Sequence, residues 1–410
     1  MLISVKMAMR NLLRHKRRTA FTVGLACVAA TAAITSIGYM SATFYAVAEN
    51  TIRGGIGHMQ IAKTAQFEGL EDYPLEHGLS IADVAAIETA LAEISPGAEI
   101  LPRIEFQGVA SAGDESLVFI GTALDPMAER ALTSTGRRVI DGVGLEHTDP
   151  SNPYQVLIGK ELARLLDVSV GESLTLMTPT TFGGLNAADV EIVGIASLGV
   201  AEVDRTYIAA PIALAQDLLR TEHVGKLAIA LPDEVPVAET LARFKGTAPA
   251  GVTAKHWREL ASLYDQLIEI FSSQFSLFGL VIAVMIVLTL LNTVAMSVLE
   301  RRKESATMMS MGFQRGYVRR LYTMEGGLIG AVGAALGIVV SLSLIWFTNT
   351  SQIVMPPPPG STEGYILILF AEPVAMAWTA AAIIVLALVS AWFASGAVRQ
   401  SNIMESVRHA

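Results

Sequence analysis

The sequence predicts an α-helical membrane protein with four transmembrane helices and an α+β extracytoplasmic domain inserted between helices 1 and 2. The first observation is composition: 52% of the 410 residues are hydrophobic, 16% are charged, and the mean hydropathy is +0.49. The second is that apolar residues gather in four long runs, and the third is that Lys and Arg flank these runs asymmetrically. Water is therefore not the only solvent of this chain.

The four apolar runs are residues 20–48, 271–299, 321–347 and 373–398. The third contains one charged residue, Glu325, and the other three contain none. Each run exceeds the roughly 20 residues that a helix needs to cross the hydrocarbon core of a bilayer. We therefore expect four membrane spans.

The distribution of Lys and Arg predicts the orientation of these spans. Segments 1–19 and 300–320 contain six basic residues each, the tail 399–410 contains two, and the loop 348–372 contains none. Because basic loops stay in the cytoplasm, both termini and 300–320 are expected there. The loop 348–372 and the segment 49–270 are then expected outside.

Two features of the N-terminus admit alternative interpretations. A basic segment followed by an apolar run also resembles a signal peptide, but a signal core has 7–15 residues and this run has nearly twice as many. We therefore expect a retained membrane anchor. Residues 1–19 fit an amphipathic helix on the inner leaflet, although topology alone explains their charge equally well.

Segment 49–270 is acidic, with 15 basic and 32 acidic residues and a net charge of −17. This charge argues against nucleic acid or anionic lipid headgroups as partners of the domain. The single cysteine, Cys27, lies in the first apolar run and excludes an intrachain disulfide. The domain must therefore be held together by its core, and its length permits one.

Strand and helix patterns alternate within this segment. Strands are predicted at 57–63, 116–122 and 190–197, where residues alternate or are β-branched. The region 154–176 is expected to form a strand, a helix, a tight turn and a strand. Residues 205–219 are expected to form a strand and a helix that starts at Pro211. The helix at 80–94 is expected to begin behind an N-cap, Ser80, with Asp83 three residues later.

Between the second and third runs the chain reads ERRKESATMMSMG, a charged start followed by small and methionine residues. We interpret it as a cytoplasmic coupling helix, because flexible methionines fill the irregular grooves of a partner, and Gly312 can end the helix. A loop that only sets topology is the alternative. The candidate coupling residues are Glu300, Arg301, Arg302, Glu304, Ala306, Met308, Met309, Met311 and Gly312.

Glycines recur on one side of the third run at Gly326, Gly330, Gly333 and Gly337. Small residues at this spacing allow helices to approach closely. Packing within one subunit is the favoured interpretation, and an interface between two subunits is the alternative.

Aromatic residues cluster near the outer ends of the first two runs. An interfacial aromatic belt explains them without further function. The alternative is a lipid-binding vestibule between two subunits. Its candidate residues are Tyr39, Phe44, Tyr45, Phe271, Phe275 and Phe278.

The sequence lacks the motifs of an enzyme. Gly159-Lys160 is followed by Glu161, so the pair does not form a phosphate-binding P-loop. The seven histidines show no metal-ligand spacing, and no nucleophile motif is present. We expect no catalytic residue, no metal site and no cofactor in this chain.

The membrane part resembles the FtsX-like ABC transporter permeases, a group that includes the MacB efflux pump and the lipoprotein-releasing LolC and LolE subunits. Residues 158–176, followed by 190–197, resemble the periplasmic core domain of that family, and 403–408 resemble its closing motif, although Asn402 replaces the usual Pro. The resemblance covers essentially the whole chain. The matching membrane positions are Asn292, Glu300 to Glu304, Gly312, Phe313, Arg315, Glu325 and the four glycines.

The resemblance implies a permease subunit in a bacterial inner membrane that works with an ABC ATPase dimer and a second permease copy or paralogue. GHMQI at 57–61 resembles the LolC/LolE branch and implies extraction of lipoproteins or lipids, with membrane lipids and a periplasmic chaperone or adaptor as further partners. MacB-like efflux of peptides or drugs is one alternative. FtsX-like signalling to a periplasmic hydrolase is another.

Overall fold

The computed structural model describes residues 16–67, 75–128, 138–232, 235–300, 307–356 and 365–395. The chain divides into two compact units. The membrane unit comprises 1–45, 267–354 and 366–410, and the strand-rich unit comprises 46–266 and 355–365.

The α-helices of the described residues are numbered in chain order. They are α1 (Lys16–Thr51), α2 (Thr64–Phe67), α3 (Ile81–Ile94), α4 (Lys160–Leu166), α5 (Ala201–Asp204), α6 (Ile212–Leu219), α7 (Val237–Thr247), α8 (Trp257–Leu260), α9 (Ser262–Glu300), α10 (Arg315–Ser351) and α11 (Pro373–Ala394). A π-helical turn, Ile52–Ile56, follows α1, and residues 307–310 are also helical.

Four helices are long and apolar enough to cross a membrane, as the four apolar runs predict. They correspond to α1, α9, α10 and α11. Three of them are longer than their runs: α1 has 36 residues, α9 has 39 and α10 has 37. The fourth, α11, ends at Ala394, four residues before the predicted limit, and residues after 395 lie outside the described part.

The strands are also numbered in chain order. They are β1 (Met59–Lys63), β2 (Glu99–Ala112), β3 (Glu115–Leu124), β4 (Arg138–Gly142), β5 (Gln155–Gly159), β6 (Ser173–Pro179), β7 (Leu185–Ser197), β8 (Tyr207–Pro211), β9 (Lys226–Ala230), β10 (Val252–His256), β11 (Val354–Met355) and β12 (Tyr365–Ile366).

Six strands of the strand-rich unit close into a ring. Going round it, β2 pairs with β3, β3 with β8, β8 with β5, β5 with β7, β7 with β6, and β6 again with β2. The 14-residue β2 makes closure possible because its first half pairs with β9 and its second half with β6. Apolar side chains including Phe106, Phe119 and Ile158 form the core of this unit.

The predicted elements of this unit are confirmed with small shifts. Ser80 caps α3 in a reciprocal capping box with Asp83, and Gly171 has a positive φ of 90° at the predicted tight turn. Pro211 is the N-cap of α6 and the last residue of β8, rather than the first helical residue as predicted. Its extended ψ of 147° lets it serve both elements.

The two ends of the strand-rich unit lie side by side. β1 and β10 pair antiparallel, with Met59 opposite His256. One step further, the Trp257 N–H donates to the His58 carbonyl, with an N···O distance of 3.3 Å. The segments by which the chain enters and leaves this unit are therefore hydrogen-bonded to each other.

Candidate functional site: helix contacts of the membrane unit and the turn before α10

Two glycines of α10 hold it against α1. A Cβ atom at Gly333 would overlap the Cβ of Ala26, and a Cβ atom at Gly337 would overlap that of Ala30. The Thr31 hydroxyl donates to the Gly337 carbonyl at 3.4 Å. Because residue numbers rise together along the contact, α1 and α10 run parallel.

The other two predicted glycines of α10 face α11. A Cβ atom at Gly326 would overlap the Cβ of Ala391, and one at Gly330 would lie 2.6 Å from the Cβ of Ala387. Residue numbers here run in opposite directions, so α10 and α11 are antiparallel. These contacts and those with α1 lie within one chain and bury all four glycines. An additional role at an interface between two subunits stays a prediction.

A third close contact, which the sequence analysis missed, joins α1 to the segment before α11. The Phe370 N–H donates to the Gly38 carbonyl at 3.1 Å, and a Cβ atom at Gly38 would overlap the Phe370 carbonyl oxygen. Gly38 is a single glycine without a repeat, so no spacing pointed to it.

The described part of the candidate coupling segment ends in a Schellman turn. The Phe313 N–H donates to the Met308 carbonyl and the Gly312 N–H to the Met309 carbonyl, both at 3.1 Å. Gly312 has a φ of +94°, so it occupies the predicted C′ position. Glu300 is the last residue of α9, whereas Arg301, Arg302, Glu304 and Ala306 lie outside the described residues.

The methionines of this turn divide into two groups. Met308 and Met309 are half-buried and pack against a cluster formed by α10 and α11, which includes Val318 and Tyr322. Met311 is 66% exposed. Only Met311 of the three therefore offers most of its side chain to a partner.

A cation–π pair, also missed from the sequence, joins the start of α10 to the end of α11. The Arg319 guanidinium lies 3.8 Å from the centroid of the Trp392 ring. Arg319 Nη2 also donates to the Trp392 carbonyl at 3.2 Å. This pair fixes two helix ends close to the turn that contains Met311.

The candidate vestibule aromatics are only partly brought together. The rings of Tyr39 and Phe275 make an edge contact between α1 and α9, with centroids 6.1 Å apart. Tyr45 instead contacts Phe370, at 5.6 Å. Phe44 and Phe271 are half-buried, and Phe278 is 61% exposed on α9. A vestibule between two subunits stays a prediction.

An apolar groove lies between α1 and α9. It has a volume of about 170 Å³, and its walls include Leu25, Ala29 and Met285, with Thr22 and Thr289 as polar members. The groove exists because α9 packs weakly: 6% of the most apolar stretch of α9 is buried, against 39% of that of α10.

His256, the last residue of β10, has a shifted pKa and caps the helix that follows. His256 Nδ1 accepts a hydrogen bond from the Arg258 N–H at 3.1 Å and caps α8. Burial, and secondarily the Arg258 charge, lower the pKa of His256, with Glu259 opposing. Trp257 and Tyr264 make an edge contact at 4.8 Å beside it. Within the described ranges, no group of His, Cys, Asp and Glu has the arrangement of a metal site.

Comparison with known proteins identifies the family. Residues 19–247, more than half of the chain, match the family model of the MacB-like periplasmic core domain, and residues 276–403 match that of the FtsX-like permease C-terminal region. The chain belongs to the FtsX-like ABC transporter permeases. Membership in this family implies a partner ABC ATPase.

Curated relatives of this permease include lipoprotein-releasing system transmembrane proteins. LolC of Xylella fastidiosa is 24% identical over 362 residues, which cover 84% of this chain and 82% of that protein. LolE of Haemophilus influenzae is 23% identical over 260 residues, covering 60% and 61%. Among solved structures, the extracellular domain of the noncanonic ABC-type transporter YknZ from Gram-positive bacteria covers 48% of this chain, at 14% identity and a TM-score of 0.35.

Proposed function

We propose that this permease couples ATP hydrolysis in a separate ATPase to the extraction of lipoproteins or lipids from the outer leaflet of the bacterial inner membrane. The observation that carries the proposal is the similarity to LolC over 84% of the chain, which includes the strand-rich domain and the membrane helices. Both termini would lie in the cytoplasm, as the basic segments favour. A second copy or a paralogue would complete the permease pair, and a periplasmic chaperone would receive the cargo.

The turn that ends at Gly312 would receive the motion of the ATPase. Its backbone is fixed by two Schellman hydrogen bonds, and Met308 and Met309 anchor it on α10 and α11. Met311 remains free to enter a groove of the partner, to which its unbranched thioether adapts easily. ATP and Mg²⁺ would be bound by the ATPase alone.

The coupling role is tested with Met311→Asp in the full complex, reconstituted in vesicles with its ATPase. A buried carboxylate at the contact is costly, so we expect the stimulation of ATP hydrolysis by the permease to fall at least tenfold, which corresponds to about 1.4 kcal/mol. Met127→Asp is the matched control, because Met127 is a comparably exposed methionine (56%) of the strand-rich unit. Equal stimulation in both variants would contradict the coupling role of Met311.

The substrate is tested in the same vesicles with a fluorescent triacylated lipoprotein and a soluble acceptor. ATP-dependent transfer to the acceptor is the expected result. A second candidate, MacB-like efflux of peptides or drugs, is favoured by the match of residues 19–247 to the MacB-like core domain. Peptide export without lipoprotein release would select it. Failure of both, with activation of a cell-wall hydrolase, would select FtsX-like signalling.

A further inference from the structure

The segment that runs from the last residue of β12 toward α11 differs from an ordinary connecting loop. Its sequence from residue 366 to 370 is Ile-Leu-Ile-Leu-Phe, apolar on both faces. Leu367 and Leu369 point into the membrane unit, where they pack with Ile34 and Ile345. Ile366 and Ile368 point outward and are 48% and 49% exposed. A strand that faces water on one side would carry polar residues at these two positions.

Several backbone groups of this segment, the N–H groups of Leu367, Leu369 and Phe370 and the Leu369 carbonyl, are hydrogen-bonded by neighbouring parts of the membrane unit. The side-chain amide of Asn349, near the end of α10, accepts from the Leu369 N–H and donates to the Leu369 carbonyl, both at 3.0 Å. The Leu367 N–H donates to the Ile353 carbonyl at 2.8 Å, and the Phe370 N–H to Gly38. Non-helical backbone at membrane depth is tolerated where protein satisfies its polar groups, and these four bonds do so for the part of the segment that faces α1 and α10.

The position of the segment also places it at membrane depth. Gly38 lies inside the uncharged run 20–48 of α1, and α11 begins at Pro373, directly after the segment. Large apolar side chains of the neighbouring spans are exposed on either side, with Trp346 of α10 at 69% and Val374 of α11 at 71%. Residues 348–372 contain no Lys or Arg, and their two acidic residues, Glu363 and Glu372, lie on either side of the segment in the sequence and mark its limits toward water.

We propose that residues 366–370 form a membrane-embedded strand whose outward side chains, Ile366 and Ile368, contact lipid acyl chains in the leaflet nearer to the C-terminal end of α1. The sequence interpretation of 348–372 as a wholly extramembrane loop is thereby revised for these five residues. Asn349 holds the segment against α10 through two hydrogen bonds. The absence of a side chain at Gly38 lets the segment approach α1 closely. The inference depends on the membrane location of the four helices and is independent of the substrate.

The test uses the full-length chain with Cys27→Ala, which removes its single cysteine. Ile366→Cys, Leu367→Cys and Ile368→Cys are spin-labelled one at a time in vesicles of phosphatidylethanolamine and phosphatidylglycerol. At 366 and 368 we expect the oxygen collision rate to exceed that of a water-soluble nickel chelate several-fold. At 367 both rates should be low. Lys160→Cys, exposed on the strand-rich unit, is the aqueous control and should show the reverse preference.

Two outcomes would overturn the proposal. Nickel access at 366 and 368 equal to that at 160 would place the strand in water. Low access to both reagents would show that a protein, such as a second copy of this chain, covers the outward face. The role of the Asn349–Leu369 hydrogen bonds is tested separately with Asn349→Leu, which should raise nickel access at 368 several-fold. Thr350→Val is its control, because within the part of the chain that the structure describes the Thr350 hydroxyl bonds only inside its own helix. An unchanged pattern in Asn349→Leu would overturn the role of Asn349.

Discussion

Single residues decide how closely the membrane helices can approach. At Gly333 and Gly337 the missing Cβ leaves room for an alanine of α1, and at Gly326 and Gly330 for an alanine of α11. In a bilayer, helix association depends on such packing because lipid tails are as apolar as the side chains they would replace. Glycine at these four positions therefore contributes stability that no larger residue can supply.

Gly337→Val should destabilise the membrane unit by about 1–3 kcal/mol, because the added methyl groups enter space that Ala30 and the Cys27 carbonyl occupy. Gly279→Val in α9 is the matched control, since a Cβ atom there meets nothing within 4 Å. The measurement is thermal unfolding of both full-length variants in detergent. Equal unfolding midpoints for the two variants would contradict a stabilising role of the close contact between α1 and α10.

Asp83 links the capping box of α3 to Lys63, whose Nζ lies 2.8 Å from Asp83 Oδ2. Partial burial opposes ionisation, but hydrogen bonds from Lys63 and Ser80 outweigh it and lower the pKa of Asp83 below its usual value of 3.8. A lowered pKa stabilises the fold above pH 3.8, and this stabilisation is lost as the pH falls through the lowered pKa.

Asp83→Ala should therefore weaken amide protection of α3 at neutral pH by about 1 kcal/mol, and its difference from wild type should shrink as the pH approaches and passes below 3.8. Hydrogen exchange with mass spectrometry on the full-length chain measures this. Glu88→Ala, at an exposed position of the same helix, should change little. A deficit that stays constant with pH would exclude the ionised carboxylate as the cause.

Elements with local signals were predictable from the sequence, whereas long-range pairings were not. Ser80 and Asp83 predicted the start of α3, and Gly312 predicted the end of the candidate coupling segment, because capping depends on residues within one turn. The three partners of β2 were not predictable. The pairing with β6, for example, depends on Gly108, where a Cβ atom would overlap the Met177 carbonyl on a strand more than sixty residues away.

The candidate site divides in the same way. The glycines of α10 were found because their spacing repeats, but Gly38, Asn349 and Arg319 act through partners distant in sequence and have no local signature. The exposure of individual side chains could not be predicted either. Met311 is exposed and Met309 is packed against a cluster, but no sequence pattern distinguishes the two.

The short helix α8 carries a pH-sensitive cap. Neutral His256 accepts the Arg258 N–H, whereas a proton on Nδ1 would remove that acceptor. Burial and the Arg258 charge lower the pKa of His256, so the cap contributes stability above the ordinary pKa of 6.5 and loses it as the pH falls further.

In wild type, amide protection of residues 257–260 should fall as the pH drops below 6.5, because the unfolded turn then binds the proton more readily. His256→Asn keeps a good N-cap without a titrating group, so its protection should be independent of pH in this range. Hydrogen exchange at matched pH values compares the two. The same pH dependence in His256→Asn would assign the effect to another group.

At the scale of the whole molecule, the membrane unit combines tightly and loosely held helices. Glycine contacts fasten α1, α10 and α11 together, and the Arg319–Trp392 pair adds a link at one end. In contrast, α9 exposes Leu277, Val281 and Leu288 and borders the groove on α1. Since α9 also leads directly into the candidate coupling segment, it is the helix on which a moving ATPase would act with least resistance.

We therefore expect α9 to change position in the ATP cycle while α10 and α11 keep theirs. Spin labels are placed at three exposed valines in a Cys27→Ala background. The first pair, Val339→Cys with Val385→Cys, reports on the α10–α11 distance. The second pair, Val339→Cys with Val281→Cys, reports on the α10–α9 distance. Double electron–electron resonance on the complex with its ATPase should show one distribution for the first pair in every nucleotide state. The second pair should shift between the nucleotide-free and ATP-bound states. A shift in the first pair alone would show that the glycine contacts open, and a constant second pair would mean that α9 moves as one body with the other helices.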